Sequence, residues 1–308
     1  MDQDHLVRCI TGDGCVTAMA VDSTQTVQTA QSLHHASAVA SAALGRLMTG
    51  ALLMGSVMKN SKATVTVRVN GGGPLGAIIA SADNAGHVRG YAMNPEVELP
   101  LNANGKLNVG EAVGREGVLN VVRDMGSGEP YVGQIELVSG EIAEDLTEYY
   151  ARSEQTPTVC ALGVLTDKGD HTVILAGGLI IQLLPTADEE AIAKLEKNLA
   201  TLEPVTTMMA KGLTPEAMCR HALEGFDVEV LDESEVHYAC TCSLEKVKNA
   251  IAGLPVAEIR SLAEDENGTE ANCPFCGRKY RLTSAELESL ANAKETRKKA
   301  ESKKDQKN

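Results

Sequence analysis

Alternation of apolar and polar positions marks the first strands. Thr64 to Val69, TVTVRV, alternates and is β-branched, which predicts a strand with Ala77 to Ala80 as its partner. Tyr131–Val138 and Thr172–Leu184 predict two more; the second is almost wholly apolar and so belongs at the centre of a sheet. Helical spacing runs through Ser32 to Met58, rich in Ala, Ser, Gly and Leu, and through the shorter Ile142 to Ser153. Strands return through glycine-rich turns instead of alternating with helices. The pattern predicts an α+β fold, a mixed and largely antiparallel sheet core around a long buried helix.

From Pro185 the pattern changes to short helices. Thr186-Ala187-Asp188-Glu189 resembles a capping box, and Ile192, Leu195, Leu199 and Leu202 follow as a thin apolar stripe that Pro204 ends. Thr214-Pro215 opens another helix. So thin a stripe cannot hold short helices folded, and the segment must lean on a neighbour. The expected organisation is a core over 1–184, a helical linker over 185–235, a small module over 236–290 and a disordered Lys-rich tail over 291–308.

Charge sharpens those boundaries. The 308 residues carry a net charge of -14, with 28 basic and 42 acidic residues. Residues 1–184 hold 11 basic and 19 acidic residues, while 185–239 hold 4 and 12 in far less chain. The linker is therefore strongly acidic, whereas the tail holds 7 basic and 3 acidic residues. An acidic chain repels phosphate backbones, and with no Trp, two Phe and six Tyr it cannot build a base-stacking platform. No nucleic-acid partner is expected.

The N-terminus, MDQDHLVRCITGDG, has acids where a signal peptide needs basic residues, and no secretory signal is read. Ala36 to Met58 is long enough to span a membrane. It carries Arg46 near its middle and consists largely of Ala, Ser and Gly, so a buried core helix is the better reading. No membrane partner is expected, and the location is cytoplasmic.

Enzymatic motifs fail on context. Gly71-Gly72-Gly73-Pro74-Leu75-Gly76 spells a dinucleotide-binding pattern, yet Pro74 leads into another strand where a phosphate site needs a helix N-terminus. It reads as a hairpin turn. His34 and His35 are adjacent and point about 100° apart on a helix, a poor chelate. The chain has no G-x-S-x-G and no H-E-x-x-H, and no catalytic activity is expected.

Chemistry concentrates in the cysteines. Cys9, Cys15, Cys160 and Cys219 are scattered singly and suit apolar filling. Cys240-Thr241-Cys242 and Cys273-Pro274-Phe275-Cys276 form two tight pairs with thirty residues between them, room for helices over Leu244–Ala252 and Val256–Ala263. Two chelating pairs supply four thiolates for tetrahedral Zn²⁺, and Gly277 after the last Cys permits the left-handed turn that aims N–H groups at sulfur. A free dithiol pair or a thioredoxin-like C-x-x-C is the competing reading, without a βαβ context to support it. A module of about fifty residues buries too little surface to be robust alone, so metal would hold it. Thiols one residue apart can oxidise only to a small strained ring, so oxidation would eject zinc and unfold the module together.

These residues resemble the redox-regulated 33-kilodalton heat-shock holdase chaperones. The likeness runs over nearly the whole chain. It is densest from Gly73 to Gly76 and His87 to Gly90, in Ser153 to Thr158, from Gly177 to Pro185, at Cys240-Thr241-Cys242-Ser243, and from Leu262 to Gly277. The resemblance implies an ATP-independent holdase, a poor chaperone while reduced and zinc-bound. Oxidants would form redox-active disulfides Cys240–Cys242 and Cys273–Cys276, zinc would leave, and the module and linker would unfold to capture unfolding client proteins under stress. It also implies a homodimer when activated. The Lys-rich end and the four scattered cysteines match no family feature. Two alternatives remain at this level: a zinc-ribbon adaptor of nucleic-acid or translation machinery, and a thiol oxidoreductase using Cys273 and Cys276.

Overall fold

A computed structural model describes residues 3–265 and 268–305, with side chains described as far as residue 296. Strands β1 (His5–Thr11) and β2 (Val16–Asp22) open the chain, followed by helices α1 (Thr24–His34) and α2 (Ala38–Ser56). A meander β3 (Thr64–Asn70), β4 (Ile78–Asp83) and β5 (His87–Ala92) leads through α3 (Val109–Val113) to the pair β6 (Val118–Asp124) and β7 (Tyr131–Glu136). Helix α4 (Ala143–Arg152) precedes the long pair β8 (Thr158–Thr166) and β9 (Val173–Leu183). Then come α5 (Glu189–Leu199), α6 (Val205–Ala210), α7 (Pro215–Ala222), β10 (Val228–Glu235) and β11 (His237–Tyr238). Helices α8 (Leu244–Gly253) and α9 (Val256–Ala263), strands β12 (Thr269–Asn272) and β13 (Lys279–Leu282), and α10 (Ser284–Asp305) complete it. The chain divides into two compact units, Met1–Ala239 and Cys240–Asn308.

In the first unit two sheets enclose α2. One has the order β10-β1-β2-β9-β8 and is antiparallel throughout; the other, β11-β5-β4-β3-β6-β7, is antiparallel except where β11 runs parallel to β5. Helix α2 packs on β4 and β5 of one sheet and on β8 and β9 of the other. A helix touched on both sides needs apolar residues all round, and Val39 to Gly55 is buried at every position but Arg46. Length and composition would let α2 cross a membrane, yet here it is the buried core helix. Small residues let the sheets come close: a Cβ on Gly55 would stand 2.7 Å from the Asp83 carbonyl oxygen. Arg46 reaches out of the core to pair with Glu141 at 2.5 Å. The fold is α+β.

Four expectations need correction. Ser32 to Met58 is broken: His35 turns left-handed at φ 49°, and Ser37 caps a new helix by accepting the Ala40 N–H at 3.2 Å. Residues 228–235 are a strand, β10, paired with β1, where helix was expected throughout the linker. Alternating acids on an edge strand hid it, since both of its faces are largely exposed. The cap of α5 is Asp188, which accepts the Ala191 N–H at 2.8 Å, two residues beyond the capping box read at Thr186. Lastly, α10 continues through Ala291, expected to begin a disordered tail. Ala291 is buried, and Lys294 donates to the Ala252, Gly253 and Leu254 carbonyls at 2.9, 2.9 and 2.6 Å, satisfying the open end of α8. Residues 306–308 of that tail lie outside the described residues.

Helices α5 to α7 cover one face of the five-stranded sheet. Ala191, Leu195, Val205, Met208, Met218 and Cys219 pack there against residues including Val7, Cys9, Ala18, Ala20, Leu179 and Ile181. Their apolar stripe finds its partner in the sheet. The boundary between compact units consequently falls at Ala239/Cys240, after this segment.

Candidate metal centre

The second unit has a small core, Ile251, Ile259, Leu282, Leu287 and Ala291, with partly buried neighbours such as Val247 and Leu262. Helices α8 and α9 pack on α10, and the β12–β13 hairpin carries the Cys273–Cys276 turn between its strands. Ser243 caps α8 by accepting the Lys246 N–H at 3.2 Å, which ends the extended stretch holding Cys240 and Cys242. Lys246 then folds back, its Nζ donating to the Thr241 carbonyl and hydroxyl at 2.8 and 2.9 Å.

The second turn is a sulfur knuckle. Cys273 N–H donates to the Arg278 carbonyl and Gly277 N–H to the Cys273 carbonyl, both at 2.9 Å. Gly277 is left-handed at φ 68°, as the sequence predicts. Backbone N–H groups of Phe275 and Cys276 face the Cys273 sulfur, and that of Arg278 faces the Cys276 sulfur.

The two segments bring Cys240, Cys242, Cys273 and Cys276 together, with all four Sγ atoms within 4.8 Å of one another. Sγ of Cys240 lies 3.7 Å from that of Cys273, and Cys242 lies 3.4 Å from Cys276. Four sulfurs at about 2.3 Å from a tetrahedral Zn²⁺ would stand about 3.8 Å apart, so the cluster fits that ion with small adjustment. Among the described residues this is the one group of three or more His, Cys, Asp or Glu side chains able to hold a metal.

Electrostatics within the cluster is uneven. Burial opposes the Cys242 thiolate, but the Tyr280 hydroxyl and the three other thiols outweigh it and bring that thiol down to about 7. Cys276 is pushed up to about 12, chiefly by burial. The Tyr280 contact, 3.0 Å from hydroxyl to Cys242 Sγ, was missed in the sequence. A tyrosine four residues past a C-x-x-C is its sole trace there.

The other sequence motifs lie elsewhere. Strands β3 and β4 pair antiparallel around Gly71–Gly76, and a Cβ on Gly71 would meet the Gly114 carbonyl oxygen at 2.2 Å. Close backbone packing explains that glycine. His34 Nε2 lies 2.9 Å from the Gly90 carbonyl oxygen. Cys9, Cys15, Cys160 and Cys219 are all buried, and burial pushes the Cys160 thiol up to about 12.

Comparison with known proteins decides the family. The sequence model described as Hsp33 protein matches residues 4–283. The chain belongs to the Hsp33 family. It is 46% identical to a 33 kDa chaperonin of Clostridioides difficile, over 92% of this chain and 97% of that one. It is 45% identical to a 33 kDa chaperonin of Bacillus licheniformis, over 93% and 98% of the two chains. The solved structure of the 33 kDa chaperonin, an Hsp33 homologue, of Thermotoga maritima superposes with a TM-score of 0.83 at 35% identity, covering 95% of this chain and 99% of that one. Membership of a chaperone family and the overall fold therefore agree, and the four-cysteine cluster is compatible with the redox and zinc features expected from the resemblance.

Proposed function

We propose that the chain is a redox-regulated, ATP-independent holdase of the cytoplasm, a poor chaperone while reduced and active once oxidised. The observation that carries this reading is four sulfurs gathered within 4.8 Å in a unit whose buried apolar cluster, among the described residues, numbers five. Zinc, held by Cys240, Cys242, Cys273 and Cys276, would cross-link segments thirty residues apart, with a binding free energy on the order of 10–16 kcal/mol. Without those bonds so small a core cannot remain folded.

The thiolates are the reacting groups. A hydroperoxide takes two electrons from one sulfur, which gains OH while hydroxide or alkoxide leaves. A second cysteine sulfur then displaces water from that sulfenic acid to form the S–S bond. Sulfur separations in the folded cluster do not select a pairing within each knuckle, since the short contacts, Cys240–Cys273 and Cys242–Cys276, run between the knuckles. The family resemblance implies Cys240–Cys242 and Cys273–Cys276 as the pairs formed. Residues 185–235 would then leave the sheet, uncovering the apolar face beneath α5 to α7 for unfolding clients, and the activated protein would dimerise.

Zinc release followed with a chromogenic chelator during peroxide treatment, and suppression of client aggregation scored in the same samples, test the reading. One zinc per chain should leave as protection appears, and reductant should reverse both. Zinc loss without protection sinks the switch and leaves a structural metal, as in an adaptor.

A further inference from the structure

Tyr280 stands outside the thiol set yet touches it. It lies on β13, the strand leaving the second knuckle, and its hydroxyl donates to Cys242 Sγ in the first knuckle at 3.0 Å. The hairpin register places it there: Tyr280 pairs with Ala271 across β12, and the Cys273 N–H bond to the Arg278 carbonyl fixes the turn between them. Arg278, two residues before it, interacts electrostatically with the phenol and sets a cation near the donor. Lys246 closes over the same knuckle through Thr241, so its ammonium is engaged by oxygen.

A thiolate attacks through a sulfur lone pair. A hydrogen bond to that sulfur withdraws charge from it and occupies one direction of approach, and nucleophilicity falls as the thiolate is stabilised. Donors of this kind beside metal ligands orient them and tune their reactivity. We propose that Tyr280 is a positioning residue that shields Cys242, making it slower than Cys240 to react with electrophiles and oxidants while the four cysteines hold a metal. The inference rests on the zinc reading above. In the oxidation step, a sulfur other than that of Cys242 attacks the O–O bond, gains OH as it is oxidised by two electrons, and hydroxide leaves. The phenol keeps its proton throughout and serves as a donor.

The test uses the full reduced, zinc-loaded chain and limiting iodoacetamide, with early modification located by peptide fragmentation mass spectrometry. Cys240 is the internal reference, because it shares a peptide with Cys242. In the unaltered protein Cys242 should be labelled well below Cys240. Tyr280→Phe should raise the Cys242-to-Cys240 ratio about fivefold, and Arg278→Gln should raise it by less. Zinc content is measured separately after acid unfolding. Equal labelling of the two cysteines in the zinc-bound parent overturns the proposal, even if Tyr280→Phe fails to fold. So does an unchanged ratio in a zinc-bound Tyr280→Phe. A parent protein that binds no zinc overturns the underlying zinc reading instead.

Discussion

Gly277 shows how much rests on one backbone angle. Nothing lies within 4 Å of where its Cβ would be, so replacement meets no clash, and the whole cost is conformational. An L-residue held left-handed costs roughly 1–2 kcal/mol. Gly277→Ala should therefore weaken zinc about 5- to 30-fold in competition with a chelator of known affinity, leaving the first unit untouched. Cys160 provides the opposite case. Its thiol is buried in the first unit and raised to about 12 by burial. Cys160→Ser should retain full zinc content, at a stability cost of about 1–3 kcal/mol for the buried hydroxyl. Zinc loss in that variant would mean the ligand set is misassigned. Residues of both kinds are visible in the sequence, because C-x-x-C-G encodes the turn and isolated cysteines encode filling. Tyr280 is not, since its role depends on a hairpin register that no local pattern prints.

At the scale of elements, β10 is the instructive one. Val228 to Glu235 carries four acids and is exposed on both faces, so its apolar pattern is too faint to read as a strand. What holds it is pairing with β1 and a two-pronged bond from Arg8 to Asp232, with Nε at 2.8 and 3.0 Å from the carboxylate oxygens. The Arg8 hydrogen bond holds the Asp232 carboxyl below its ordinary range, against a smaller opposing effect of burial. A carboxyl lowered on folding stabilises the fold above its unfolded pKa and stops doing so as pH falls through its folded one. Asp232→Asn should thus raise amide exchange along Leu6–Ile10 at neutral pH, by up to about 1 kcal/mol for so exposed a pair. The difference from the parent should shrink as pH drops below about 4. A difference that grows toward acid would contradict the assignment. Helix α2 behaves in the reverse way: its small apolar residues announce burial, while the break before it at His35 depends on a left-handed residue and a serine cap within an otherwise helical run.

For the whole molecule, the two units contrast in what holds them. The first has a core extending from Leu6 to Val236 through both sheets; the second has, among the described residues, a buried apolar cluster of five and a thiol cluster. A strong chelator under reducing conditions should therefore remove one unfolding transition, seen by amide exchange over Cys240–Asp305, and leave protection in β1 to β9 within error. Simultaneous loss of both would show that the units do not unfold separately. Sequence blocks of charge and cysteine spacing predicted a separate small module near the C-terminal end. They did not anticipate that residues 185–239 belong to the first compact unit, because much of the face those helices need is supplied by β1 and β2, almost two hundred residues earlier.

The path of the chain just before Cys240 has a mechanical consequence. β10 is stitched to β1 on one sheet, Val236 N–H bonds the Asp4 carbonyl at 3.0 Å, and His237 and Ala239 N–H groups bond the Gly86 and Val88 carbonyls on the other sheet at 2.9 Å each. A single ribbon of twelve residues, 228–239, thus hems two sheets in succession. Tension applied at Cys240 would meet the short parallel seam first and the long antiparallel one afterwards. Unpicking it would leave two bare selvedges, along β1 and along β5, each with a row of backbone donors and acceptors open to another strand.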